Sequence, residues 1–213
     1  MTIRQFIHRG HFFYYFGYWV YELLMDMLIG GVRLNKMLDN SQVTICDHPV
    51  QSTPYRLLDL IVDYFQLDVS DVFVDVGCGW GRVISFLMLK FKMTKTQWSC
   101  KFVGIEINTK AANIAKKRFR DFKQVEIINS DILLNIPRDA TVFYLFNPFG
   151  EKDLVYFINS INKKINHPVR LLYLNDVYGS VINNATNWFL IKRMVIKPKY
   201  HLPIKLGIYQ YIP

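Results

Sequence analysis

Acidic side chains follow short apolar stretches in the middle of the chain, where they could bind a cationic or hydroxyl-bearing ligand. Asp75 lies near the end of the apolar stretch 72–76 and directly before glycines that are spaced two residues apart. An apolar helical pattern begins after these glycines, so the segment predicts a strand, a glycine-rich turn and a helix. Such a turn brings backbone N–H groups close to a ligand at a helix N-terminus.

The glycines are Gly77, Gly79 and Gly81, and their spacing excludes two common nucleotide-binding motifs. The motif G-x-G-x-x-G requires a glycine three residues after Gly79, where this chain has Arg82. The Lys-Ser/Thr pair of the phosphate-binding loop is also missing from this turn. Because Asp75 would repel a phosphate, the motif favours a ligand that carries positive charge at this end.

Polar side chains follow three further apolar stretches. They are Glu106, Asp131 and Asn147, and the last is part of an Asn-Pro-Phe sequence. Helical patterns separate most of these stretches, which predicts a parallel sheet. Because ligands of open α/β sheets bind beyond the carboxyl ends of the strands, we expect these side chains to meet Asp75 at one site.

Together these motifs resemble those of class I S-adenosylmethionine-dependent methyltransferases. The segment 75–81 has the sequence D-V-G-C-G-W-G, and the later strand ends follow in the order and at the distances typical of that family. The D-V-G-C-G-x-G-R and F-N-P-F patterns are most similar to a group of small bacterial class I enzymes. The resemblance covers residues 50–175. It implies an α/β, Rossmann-like fold with a seven-stranded, mostly parallel sheet and helices on both faces.

The resemblance also implies that S-adenosyl-L-methionine is the cofactor. Asp75 would then accept from its ammonium group, Glu106 from the ribose hydroxyls and Asp131 from the adenine amino group. For Thr53 and Tyr55, a helix cap and a core aromatic remain alternative interpretations. The residues expected to contact the cofactor are Thr53, Tyr55, Asp75, Gly77, Cys78, Gly79, Gly81, Glu106, Ile107, Asp131, Ile132 and Asn147.

No motif singles out a catalytic base. Amino-group methyltransferases carry N/D-P-P-[YFW], whereas this chain has Asn-Pro-Phe-Gly at 147–150 and lacks the second proline, which argues against planar amines as acceptors. Methyl transfer requires an acceptor in line with the sulfonium and a group that takes one proton. The weak candidates for this catalytic role are Asn147, His48 and Asp176.

Composition predicts one globular domain of ordinary size. The chain has 213 residues, of which 51% are hydrophobic and 20% are charged. Its three cysteines have no metal-ligand spacing, so we expect no metal site. With no signal-peptide pattern, a cytoplasmic location is expected. The net charge of +9 is compatible with nucleic acid, an acidic substrate or an anionic membrane surface.

Many of the basic residues lie between residues 90 and 123, outside the predicted strand ends. Few aromatic residues are interleaved with them, whereas single-stranded nucleic-acid sites usually combine basic and stacking side chains. We therefore expect a solvated helix face and no nucleic-acid groove.

Residues 1–40 predict an aromatic helical extension that precedes a methyltransferase domain over 41–213. Glu22 and Asp26 interrupt its apolar run, which argues against a membrane-spanning helix. The rings suit a membrane interface, but an interfacial helix usually has a basic polar face and this one is acidic. Two hypotheses stay open: a helix packed on the domain, where it could shape the acceptor site, and peripheral membrane contact.

The sequence thus predicts methyl transfer from S-adenosyl-L-methionine to a small-molecule, glycan or lipid-linked acceptor. A protein or RNA methyltransferase is the first alternative, since the chain is basic. A non-catalytic binding protein that retains the fold is the second, although the presence of Asp75, Glu106 and Asp131 argues against it. No pattern indicates the oligomeric state.

Overall fold

The computed structural model of the protein describes residues 14, 16–27, 52–93, 100–198 and 202–213. Within these residues, seven strands form one sheet in the order β3-β2-β1-β4-β5-β7-β6, and β7 alone runs antiparallel to its neighbours. The predicted seven-stranded, mostly parallel sheet is therefore confirmed. The strands are β1 (Val72–Val76), β2 (Lys101–Glu106), β3 (Val125–Asn129), β4 (Val142–Phe146), β5 (Val169–Leu174), β6 (Trp188–Ile196) and β7 (Ile204–Tyr211).

Helices cover both faces of this sheet. Apolar side chains of α2, α3 and the end of α4 form a core with one face, whereas α5 and α6 form a second core with the other. Both cores are built from alternating side chains of the same central strands, as expected for strands buried on both sides. The helices are α1 (16–27), α2 (Tyr55–Phe65), α3 (Arg82–Met93), α4 (Thr109–Phe119), α5 (Glu151–Lys164) and α6 (Gly179–Asn183).

The order of the strands reverses at the centre of the sheet. Strand β1 pairs with β2 on one side and with β4 on the other, and all three run parallel. The chain therefore leaves the carboxyl ends of β1 and β4 in opposite directions. This divergence opens a crevice at the end of β1, which is where ligands bind in folds of this kind.

The turn after β1 depends on its glycines. Gly77, Gly79 and Gly81 have φ values of 74°, 54° and 80°, in the left-handed region that side chains disfavour. At Gly81 a Cβ atom would also lie 2.4 Å from the ring of Phe119, so this glycine lets α4 pack against the turn.

Helix α1 is the described part of the predicted N-terminal extension and packs against the starts of α2 and α3. Glu22 accepts a hydrogen bond from the backbone N–H of Tyr55 (2.7 Å). It thereby caps α2, because Pro54 at the N-cap position provides no side-chain cap. Among the described residues, no helix is long and apolar enough to cross a membrane.

Candidate active site

A cavity of about 600 Å³ lies where the central parallel strands end. The structure brings most of the residues predicted to contact a cofactor into its lining. These are Thr53, Asp75, Gly77, Cys78, Gly79, Glu106, Ile107, Asp131, Ile132 and Asn147. Strand ends that are far apart in sequence therefore meet at one site.

Two of the predicted residues do not line this cavity. Tyr55 is fully buried in the core, where the guanidinium carbon of Arg82 lies 4.6 Å from the centre of its ring. Gly81 faces Phe119 instead of the cavity. Both residues stabilise the helices behind the cavity wall, and Tyr55 matches its alternative interpretation as a core aromatic.

Asp75 is a buried carboxyl group at the end of β1. It is 2% exposed, and among the described residues no hydrogen-bond donor reaches its Oδ2 atom. Burial, reinforced by the nearby charge of Glu106, raises the pKa of Asp75 to about 8. An acid in these surroundings would be stabilised in its ionised form by a cationic ligand group.

Glu106 is held by backbone donors at the same end of the cavity. Its two oxygens accept from the backbone N–H groups of Gly79 (2.8 Å) and Asn108 (2.7 Å). Burial raises the pKa of Glu106, and these backbone hydrogen bonds partly offset that effect. Because each carboxylate oxygen has two acceptor sites, Glu106 can fix the glycine turn and still accept from ligand hydroxyls.

The third acid is placed by the turn after β3. One oxygen of Asp131 accepts from the backbone N–H of Leu133 (2.9 Å). The side chain of Asn129 donates to the backbone carbonyls of Glu106 (2.8 Å) and Ile107 (3.2 Å), which joins the ends of β2 and β3. Sequence analysis did not identify this function of Asn129.

The catalytic candidates have different surroundings. Asn147 lines the cavity in a left-handed backbone conformation (φ 47°), and its Oδ1 atom accepts from the hydroxyl of Tyr173 (2.9 Å). Asp176 lies outside the cavity lining, where its Oδ2 atom accepts from Arg193 Nε (2.9 Å) and the Tyr209 hydroxyl (2.7 Å). His48 lies outside the described residues. Asn147 is thus the candidate that the structure places at the cavity.

Arg82 is a cavity residue that sequence analysis did not assign. It is 2% exposed, and its guanidinium donates to Glu22 Oε2 (2.7 Å) and Asp26 Oδ2 (2.9 Å) of α1. The sequence did indicate that a cation was needed. Glu22 and Asp26 lie four residues apart in an apolar helix, so their charges require either a buried cation or contact with solvent. Nothing in the sequence indicated which cation that would be.

Within the described part of the chain, no group of three or more His, Cys, Asp or Glu side chains could hold a metal ion. The polar groups at the cavity are backbone amides, carboxylates and carboxamides. They can bind an organic ligand that carries ammonium, hydroxyl and amino groups.

Comparison with known proteins relates part of the chain to methyltransferases. The family model described as "Histone methylation protein DOT1" matches residues 52–128. A probable ribosomal RNA small subunit methyltransferase A of Methanococcoides burtonii is 33% identical over 84 residues, which are 39% of this chain and 28% of that protein. The chain therefore spans little more than a quarter of this curated relative.

Solved structures resemble the fold at low sequence identity. The mitomycin 7-O-methyltransferase MmcR has a TM-score of 0.53 and 14% identity, over 68% of this chain and 50% of that one. The B. subtilis m1A22 tRNA methyltransferase TrmK has a TM-score of 0.57 and 14% identity, over 72% of this chain and 64% of that one. The fold is that of class I methyltransferases. The proteins that share it include enzymes named for small-molecule and for RNA substrates.

Proposed function

We propose that this chain is an S-adenosyl-L-methionine-dependent methyltransferase. The observation that carries the proposal is the buried Asp75, without a donor to its Oδ2 atom among the described residues, beside Glu106 at the glycine turn. Two acids buried together are unfavourable unless a cation joins them. The ammonium group of the cofactor would provide that charge at Asp75, and its ribose hydroxyls would donate to Glu106.

Asp131 and Ile132 complete the proposed cofactor site. They line the cavity beyond β3, adjacent to the end of β2 that carries Glu106. A carboxylate accepts from an amino group, and an aliphatic side chain packs against a ring, so these residues suit adenine. The proposed order along the cavity is therefore ammonium, ribose and adenine from β1 to β3.

The acceptor would enter from the side of β4 and α5. Asn147, Phe149 and Asp153 line the cavity there. The cavity is lined by Asp75, Glu106, Asp131 and Asp153, while its cationic residue Arg82 is already bound to two acids. This charge balance favours a neutral or cationic small-molecule, glycan or lipid-linked acceptor over a phosphate-rich one.

RNA is the second candidate acceptor. It is favoured by the ribosomal RNA methyltransferase relative and by the exposed lysines of α4. A methyl-label screen of glycolipid, RNA and protein fractions would distinguish the candidates. Label in the RNA fraction alone would favour RNA over a glycan or lipid-linked acceptor.

Calorimetric titration with S-adenosyl-L-methionine tests the cofactor assignment. Glu106→Ala should weaken binding at least about tenfold, since the loss of charge-assisted hydrogen bonds costs about 1.5–3 kcal/mol each. Asp153→Asn is the matched control, because this acid lines the cavity on the acceptor side and should leave cofactor affinity unchanged. Equal affinities for the wild type and a folded Glu106→Ala variant would place the cofactor elsewhere.

A further inference from the structure

Helix α1 turns its acids inward and several of its large apolar side chains outward. Glu22 and Asp26 are buried, and they are the charged residues of 16–27. Large apolar side chains occupy the outward face, where each is half exposed or more. They are Phe16 (54%), Trp19 (51%), Leu24 (50%) and Met27 (58%). The rings of Phe16 and Trp19 stack on each other, with centroids 6.2 Å apart.

This orientation removes the objection that the sequence raised to membrane contact. The acids made the polar face of α1 unsuitable for an anionic bilayer. In the fold both acids are bound to Arg82 in the interior, so they do not face solvent. The outward face of α1 presents apolar surface and no charged side chain within 16–27.

Helix α4 provides the basic surface that α1 lacks. Lys110, Lys116 and Lys117 are exposed, and none of them belongs to an ion pair formed by the described residues. Arg118 of the same helix donates to the backbone carbonyl of Trp80 (3.2 Å). Helix α1 is bound by its acids to Arg82, two residues after Trp80. The C-terminal half of α4 and helix α1 therefore both pack at residues 80–82.

We propose that the outward face of α1 and the lysines of α4 bind the surface of an anionic lipid bilayer. Trp and Phe side chains favour the headgroup level of a bilayer, and lysines beside them are attracted to anionic lipids. The net charge of +9 acts in the same direction. The proposal is independent of the acceptor and of the cofactor.

Cosedimentation of the full chain with lipid vesicles tests the apolar part of this surface. The probes are vesicles of phosphatidylcholine alone and of phosphatidylcholine mixed with phosphatidylserine. Wild type should sediment with the anionic vesicles, and the double variant Trp19→Ser/Met27→Ser should bind at least about tenfold more weakly. Leu202→Ser is the matched control, because Leu202 is 85% exposed outside α1 and its loss should change nothing.

Substitution of lysines in α4 tests the electrostatic contribution to vesicle binding. Each lysine near an anionic surface contributes about a fivefold change in partition coefficient, so Lys116→Gln/Lys117→Gln should weaken binding about 25-fold. The matched control is Lys152→Gln/Lys163→Gln, which removes two exposed lysines from α5 on the opposite face of the sheet. That variant should lose much less affinity.

Three outcomes would overturn the proposal. The first is vesicle binding that is unchanged by Trp19→Ser/Met27→Ser. The second is no vesicle binding together with a dimer that this variant dissociates in analytical ultracentrifugation, which would make the face a contact between two copies. The third is no binding and no change of mass, which would mean that another segment of the chain covers α1. Circular dichroism and cofactor titration verify that each variant is folded.

Discussion

Two pairs of buried acids flank the glycine turn, and they differ in what balances their charge. Glu22 and Asp26 of α1 share the guanidinium of Arg82. Asp75 and Glu106 at the cavity have no basic side chain as a hydrogen-bond partner among the described residues. The protein itself therefore balances the charge of the first pair. A cationic ligand at the cavity would balance the charge of the second.

The difference follows from how each pair is built. Glu22 and Asp26 lie four residues apart on one helix, so both side chains point towards the fork of one guanidinium. Asp75 and Glu106 come from neighbouring parallel strands. Backbone amides donate to Glu106, whereas no donor among the described residues reaches Asp75 Oδ2. Asp75 is left as the acid whose ionisation requires a partner.

The largest loss of stability is expected when Glu22 and Asp26 lose the guanidinium of Arg82. Arg82→Met would leave Glu22 and Asp26 buried without their cation, and breaking a buried ion pair in this way costs about 3–5 kcal/mol. Urea unfolding monitored by circular dichroism measures this loss. The Arg82→Met variant should be strongly destabilised or unfolded.

A triple variant provides the control. Arg82→Met combined with Glu22→Gln and Asp26→Asn removes all three charges, so it should regain much of the stability that Arg82→Met loses. If Arg82→Met alone costs less than about 1 kcal/mol, the buried cation is not what holds α1 to the domain.

At the cavity pair, by contrast, removing the charge of Asp75 should stabilise the ligand-free protein. The folded pKa of Asp75 is about 8 against an ordinary value of 3.8, so between these values the folded state holds a proton that the unfolded chain releases. This group therefore makes stability fall as pH rises through that window. Asp75→Asn should stabilise the ligand-free protein at neutral pH and remove this slope, as measured by thermal unfolding against pH.

The same substitution should weaken S-adenosyl-L-methionine binding at least about tenfold. In the wild type, affinity should increase as pH rises towards 8, because a cationic ligand requires Asp75 to lose its proton. The Asp75→Asn variant should lack this dependence. A variant that binds normally, or a wild type with flat pH dependence, would contradict the role of Asp75 as the acid that binds the ammonium group.

Much of this arrangement could be predicted from the sequence, and the limit has a physical cause. The apolar stretches and the residues that end them predicted the strands, their parallel order and the meeting of Asp75, Glu106 and Asp131. Arg82 could not be assigned, because its partners lie 56 and 60 residues away in sequence and only the packed helices bring them together. The acids of α1 were visible, but not the direction in which they point.

Two glycines of the turn should differ in whether their substitution affects stability or cofactor binding. Gly81→Ala would push a Cβ atom into the ring of Phe119, so it should cost about 1–3 kcal/mol of stability. At Gly77 the nearest atom to such a Cβ is Pro148 Cβ at 3.6 Å, and the residue lines the cavity. Gly77→Ala should therefore reduce cofactor affinity more and stability less than Gly81→Ala. Calorimetric titration and urea unfolding of both variants measure the two effects, and the reverse ranking would contradict this assignment.

The smallest effect is expected where α1 is attached at the surface. The hydroxyl of Tyr21 donates to Asp59 Oδ2 (2.6 Å), and this contact is exposed, unlike the ion pairs of Arg82. Water can replace an exposed partner, so Tyr21→Phe should cost no more than about 0.5–1.5 kcal/mol in urea unfolding. The substitution retains the aromatic ring, so the measured change reports the loss of the hydroxyl alone. If Tyr21→Phe destabilises the protein as much as Arg82→Met, the surface contact and not the buried guanidinium would hold α1 in place.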